Sequence, residues 1–135
     1  MGFFSNLFGK KEKPPIARLT GNGGYELDAV GESNYQKALL KITGGKTEEG
    51  HHMEVEAILI HDDRNPYDNK AIAVSVEGEI VGYLSREHAR QFRKLMAEAG
   101  GAGRPAVCDA LIVGGWNRGG GDEGHYGVRL DLPME

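Results

Sequence analysis

Apolar and polar positions alternate along much of this chain with the two-residue period of half-buried strands. Residues 25–30 alternate from Tyr25 to Val30 and predict a first strand. Residues 53–61 predict a longer one that is apolar on both faces at Val55, Ala57, Ile58, Leu59 and Ile60. A strand buried on both sides, or one that bends across a barrel, reads this way. Residues 71–76 place Ile72, Val74 and Val76 on one face and Ala73 and Ser75 on the other. Glu77-Gly78 supplies the positive-φ position of a hairpin turn, and residues 80–84 return as the partner strand. Residues 106–116 and 126–132 follow, the last alternating Tyr126, Val128, Leu130 and Leu132.

Two stretches switch to helical spacing. In residues 35–43, Ala38, Leu39 and Ile42 form a stripe, with Ser33 or Asn34 as N-cap and Gly44-Gly45 as the stop. Ser85 caps the second helix, which runs to about residue 99 and ends at Gly100-Gly101. Its core face carries Ala89, Phe92, Leu95 and Met96, and Arg86, Arg90, Arg93 and Lys94 share another face. The order β-α-β-β-β-α-β-β predicts a mainly β (α+β) fold: a small six-stranded antiparallel OB-like barrel with two α-helices. This domain is expected over residues 21–135, after a flexible tail over residues 1–20. In that tail Phe3, Phe4, Leu7 and Phe8 precede Lys10, Lys11 and Lys13, which suits either a loose end or a peripheral anchor for a membrane surface or partner.

Composition narrows the function. The chain of 135 residues has a net charge of −4, which argues against coating duplex DNA by charge but leaves room for a local site. The single cysteine, Cys108, excludes an intrachain disulfide and a cysteine-based zinc site and fits a reducing compartment, so a cytoplasmic location is expected. No apolar run approaches the roughly 20 residues of a membrane helix. His51 and His52 are adjacent in a strand and point to opposite faces, so they make a poor metal pair. Asp62, Asp63, Asn65 and Asp68 lack the glycine and terminal glutamate of an EF-hand. Gly21-Asn22-Gly23-Gly24 lacks the Lys-Ser/Thr of a phosphate loop. With no nucleophile motif either, the chain is expected to be a binding module without cofactor, and not an enzyme.

The informative stretch is Asn65-Pro66-Tyr67-Asp68. Pro66 and the Asx residues predict a turn between two strands, with an aromatic and a carboxylate at a strand mouth. Asp68 is open to two roles, holding its own turn or serving as an acceptor for a ligand. Tyr67 either packs over the barrel mouth or offers a flat surface to a base. The basic helix face is either a solvated surface or a positive flank beside a pocket. Trp116 reads as a rim packer rather than a base platform.

Asn65-Pro66-Tyr67-Asp68-x-x-Ala71-Ile72-x-Val74, followed by Gly78-x-x-Val81-Gly82-Tyr83-Leu84-x-Arg86-Glu87, resembles the signature of the HIRAN domain family. That family is found at the front of helicase-like DNA-repair ATPases and as short stand-alone bacterial chains. The resemblance implies an OB-like fold and a pocket for the free 3′-hydroxyl end of single-stranded DNA, in DNA repair or processing, with a repair or replication protein as a further partner. It implies roles for Tyr67 and Tyr83 as ring surfaces, for Asp68 as acceptor of the terminal hydroxyl, and for Arg86, with Arg90 or Lys70 behind it, at phosphates. The tract from Gly31 to Gln36 is similar to the family's first turn, where an aromatic joins the pocket, and either Tyr35 or Asn34 holds that position. Helicase motifs and a zinc module are absent from the chain, so ATP hydrolysis and zinc are not implied. A β domain that binds protein, through a sheet edge or the tail, is the rival class.

Overall fold

The computed structural model describes residues 17–134. Its elements are β1 (Ala17–Leu19), β2 (Leu27–Asp28), a 3-10 turn (Glu32–Asn34), α1 (Gln36–Thr43), β3 (His51–Asp62), β4 (Ala71–Val76), β5 (Glu79–Tyr83), α2 (Arg86–Glu98), β6 (Ala106–Gly114) and β7 (Tyr126–Asp131).

One sheet runs β2-β7-β6-β3-β4-β5, every neighbour antiparallel. β3 explains its own doubly apolar pattern. His51 to Leu59 pair with β6, while Ile58 to Asp62 pair with β4, so the strand passes from one partner to the other as it crosses the barrel. The sheet curls until its ends meet. Val30, just past β2, exchanges two backbone hydrogen bonds with Tyr83 at 2.8 and 2.9 Å. The expected mainly β, OB-like architecture with two helices is therefore the one observed.

Ile72, Val74 and Val76 of β4 and Val81 of β5 enter one core with Leu59, Cys108, Ile112, Val128 and Leu130. Ala73 and Ser75, on the opposite face, are buried as well. Both helices contribute to the core: α2 through Ala89, Phe92 and Met96, α1 through Leu39. Ala38 and Ile42 are only partly buried against that core, and Leu95 is partly exposed. Ser85 caps α2 as expected, its hydroxyl accepting from the His88 amide at 3.1 Å. Glu77 and Gly78 both take positive φ, 53° and 81°, and close the β4–β5 hairpin.

Four local expectations are corrected. Ala17–Leu19 lie parallel to Ala106, Val107 and Cys108, so part of the expected tail over residues 1–20 is a strand; residues 1–16 of that tail lie outside the described residues. The predicted strand over residues 25–30 shrinks to Leu27–Asp28: Tyr25, with a φ of 50°, breaks it at the front, and Val30 turns to pair with Tyr83 at the back. Ser33 and Asn34 sit inside the 3-10 turn instead of capping α1. Tyr35 takes the N-cap position without a side-chain hydrogen bond. Finally, β6 stops at Gly114, where Gly114 and Gly115 both take positive φ.

Candidate functional site

The loop between β3 and β4 is built on Asn65. Its Oδ1 accepts from the amides of Tyr67 at 2.9 Å and Asp68 at 3.2 Å, an Asx turn that Pro66 preorganises. The turn pushes the Tyr67 ring outward, leaving that residue 84% exposed. Asp68 turns the other way, and its side chain is only 10% exposed. Its Oδ1 accepts from the Lys70 amide at 3.0 Å and its carbonyl from the Ala71 amide at 3.0 Å.

The basic face of α2 grips this loop. Arg86 donates Nη2 to the Tyr67 carbonyl at 2.8 Å. Arg90 forks onto Asp68, Nη1 to Oδ2 at 2.7 Å and Nη2 to Oδ1 at 2.9 Å. Arg93 reaches the Lys70 carbonyl at 2.8 Å, Asp63 at 2.8 Å and the Ala71 carbonyl at 3.1 Å. The i, i+4, i+7 spacing that put these arginines on one face therefore serves mainly to hold the loop's shape. The Arg90 guanidinium, and next the Lys70 amide, hold the Asp68 carboxyl well below the usual carboxylate range.

The opposing wall comes from the segment before α1. Gly31, with φ of 77°, turns the chain into the 3-10 turn. Gln36 then pairs its side-chain amide with the Tyr126 backbone, accepting from Tyr126 N at 2.8 Å and donating to Tyr126 O at 3.1 Å. That pins the start of α1 onto β7 and sets Tyr35 against Tyr83, their ring centroids 6.3 Å apart and their planes tilted by 43°. The Tyr83 hydroxyl donates to Asp62 Oδ2 at 2.8 Å. Burial first, and that hydrogen bond second, push the Tyr83 phenol well above its ordinary value.

Between the two walls lies a cleft of about 440 Å³. It gathers Asn34, Tyr35, Tyr67, Asp68, Tyr83 and Arg86. Lys70 and Arg90 are not on it: Lys70 is exposed on the loop, and Arg90 is committed to Asp68. Tyr35 and Asn34, alternatives for one position in the sequence, both face the cleft. Sequence reasoning did not nominate Val30, Gly31, Asn65, Ala71 or Leu84, which complete the lining. Asn65 carried a readable signal, an Asx residue two positions before the exposed ring. Val30, an apolar residue 43% exposed, did not.

The cleft's chemistry follows from what is still free. Asp68 Oδ1 already accepts two hydrogen bonds, whereas Oδ2 accepts one and keeps a lone pair for another donor. Arg86 spends one N–H on the Tyr67 carbonyl and has others for an anion. Three tyrosine rings supply flat apolar surface. The other loop carboxylates are engaged, Asp62 by Tyr83 and Asn65, Asp63 by Arg93. Among the described residues no group of His, Cys, Asp and Glu is arranged to hold a metal ion, and no helix is long and apolar enough to cross a membrane. Trp116 packs at the β6 rim, donating Nε1 to Asp122 at 3.1 Å with the Arg118 guanidinium 5.4 Å over its ring.

Comparison with curated proteins gives no match. Among solved structures, the HIRAN domain of human HLTF is similar, with 19% identity, 78% of this chain and 74% of that chain covered, and a TM-score of 0.37. The HIRAN domain family model matches residues 20–109, a span that includes the Asn65–Asp68 turn, the β4–β5 hairpin and every residue lining the cleft. On that match the chain belongs to the HIRAN domain family, known generally as nucleic-acid-binding modules.

Proposed function

We propose that the cleft binds the free 3′-hydroxyl end of single-stranded DNA, as a non-enzymatic recognition module in DNA repair or processing. The observation that carries this reading is Tyr67, a ring left 84% exposed beside a partly buried carboxylate with one acceptor site to spare. An aromatic displayed this way contributes little to the core and is suited to stacking on an unpaired base. Stacking supplies about 1–3 kcal/mol per base, so two bases on the Tyr67 and Tyr35–Tyr83 surfaces provide a large share of the roughly 8 kcal/mol of micromolar binding.

Selectivity for the end comes from Asp68. A terminal hydroxyl has a proton to donate to Oδ2. A terminal phosphate is itself an acceptor, so the two oxygens would meet with no hydrogen between them and with like charge. Arg86 lines the same cleft with N–H groups to spare, which supports its meeting an internucleotide phosphate. Arg90 and Lys70 then act on the strand only indirectly, by holding the carboxylate and the loop.

The test is a titration of short oligonucleotides bearing a 3′-hydroxyl, a 3′-phosphate or no accessible 3′ end. Binding should favour the 3′-hydroxyl over both others and depend weakly on salt, because few phosphates are touched. A domain built to bind protein would show no preference among the three, and that result would remove the assignment.

A further inference from the structure

A strand held by its last bases must leave the cleft somewhere, and two depressions among the described residues adjoin it. One route crosses the Tyr35–Tyr83 edge into a second recess of about 320 Å³, which shares Asn34, Tyr35 and Tyr83 with the main cleft. The other crosses Val30 into a hollow of about 570 Å³ that touches the main cleft only at that residue.

Charge separates the two. The second recess carries Lys37 on an apolar floor of Ala38 and Ile80. Its one carboxylate, Glu79, accepts from Lys41 Nζ at 2.9 Å and is thereby compensated. Lys37 is exposed and has no ion-pair partner among the described residues. The hollow beyond Val30 is walled instead by Glu26 and Asp28, and the nearest cation to Asp28 is the Arg129 guanidinium at 3.8 Å. A phosphodiester chain meets a free ammonium on the first route; on the second, where His88 also lies, it meets Glu26, which has no ion-pair partner among the described residues, and Asp28, whose pair with Arg129 is long.

We infer that the second recess is a further nucleotide subsite: the strand runs 5′-ward from the main cleft over Tyr35 and Tyr83, sets its next base on Ala38 and Ile80, and places a backbone phosphate at Lys37. This rests on the proposed function of the main cleft, which it extends. The apolar floor matches a base and the single lysine matches one phosphate. The two depressions share Asn34, Tyr35 and Tyr83, so they lie side by side across that edge.

The experiment uses the full chain and unlabelled oligothymidylates with a free 3′-hydroxyl, from dinucleotide to hexanucleotide, competing against one labelled strand. Wild-type affinity should climb beyond the dinucleotide and then level off. Lys37→Gln should bind the dinucleotide as wild type does but lose about fivefold on the longer strands, as expected for one exposed charge contact, with Lys37→Glu losing more. The salt slope on the longer strands should fall by about 0.7, the share of one single-strand phosphate. Lys37 is exposed, so both variants should keep the wild-type melting temperature. The subsite is overturned if the Lys37 variants match wild type at every length, if they weaken the dinucleotide equally, or if Asp28→Asn instead strengthens the longer strands. Loss of 3′-hydroxyl preference in the wild-type dinucleotide is a different result, and it refutes the reading of the main cleft itself.

Discussion

Removing the Tyr67 ring should separate binding from folding more cleanly than any other change at this site. Its side chain is largely in solvent, and the residue's hydrogen bonds run through its backbone, to Asn65 Oδ1 and from Arg86. Tyr67→Ala keeps both, so stability should move by no more than about 0.5 kcal/mol, the range of ordinary surface substitutions. The stacking surface, by contrast, is lost outright. At about 1–3 kcal/mol per stacked base, affinity for a 3′-hydroxyl oligonucleotide should fall about 5- to 150-fold. Tyr67→Phe retains the ring and should bind close to wild type. Fluorescence anisotropy of a 5′-labelled strand reads the binding, and thermal denaturation reads the fold. If Tyr67→Ala binds as wild type does, or loses affinity only in step with a lower melting temperature, the ring is not a base platform.

Other consequences are equally direct. Asp68 holds its proton less tightly in the folded chain than in the unfolded one, so the Asp68–Arg90 pair favours folding when the acid is ionised. Its contribution is complete above the unfolded carboxyl value of about 3.9 and is lost as pH falls through the depressed folded value. The melting-temperature gap between wild type and Arg90→Gln should therefore stay level from pH 8 to about 5 and narrow only below about 4. Gly82→Ala places a Cβ 3.0 Å from the Val30 carbonyl oxygen, which the Tyr83 amide holds at 2.9 Å, so that carbonyl must shift by a few tenths of an ångström and the bond that closes the barrel is strained. That variant should lose about 1–3 kcal/mol of stability in chemical denaturation and bind the strand end more weakly, since Val30 and Tyr83 line the cleft. Burial pushes the Cys108 thiol up to about 12, so a disulfide reagent should modify it at pH 8 only as the chain unfolds, at a rate that rises with denaturant.

Much of this fold could be read from local pattern because its strands are long enough to show their period. β4, β5, β7 and the long β3 lie within a residue or two of their predicted bounds. The failures have non-local causes. β1 is a three-residue strand whose only reason to exist is its parallel partner in β6, far along the chain. β2 is cut short by a backbone turn at Tyr25 that no residue type there announces. The site shows the same division. Tyr67 and Asp68 were legible because an Asx-Pro turn is local chemistry, and the shared face of Arg86, Arg90 and Arg93 followed from helix geometry. Which anions that face meets was not legible. Arg90 and Arg93 answer to the protein's own loop, and only the folded arrangement of α2 against residues 63–71 decides that. Lys37 carries no signal in the sequence; only the folded Tyr35–Tyr83 edge sets its recess beside the cleft.

The ratio of dissociation constants for a 3′-phosphate and a 3′-hydroxyl version of one short strand, measured for wild type and Asp68→Asn, tests the end-binding claim most directly. Wild type should prefer the hydroxyl by on the order of tenfold or more, about 1.4 kcal/mol, and Asp68→Asn should bring the ratio close to one while the chain still folds. A wild-type ratio near one, or a ratio that Asp68→Asn leaves unchanged, would contradict it.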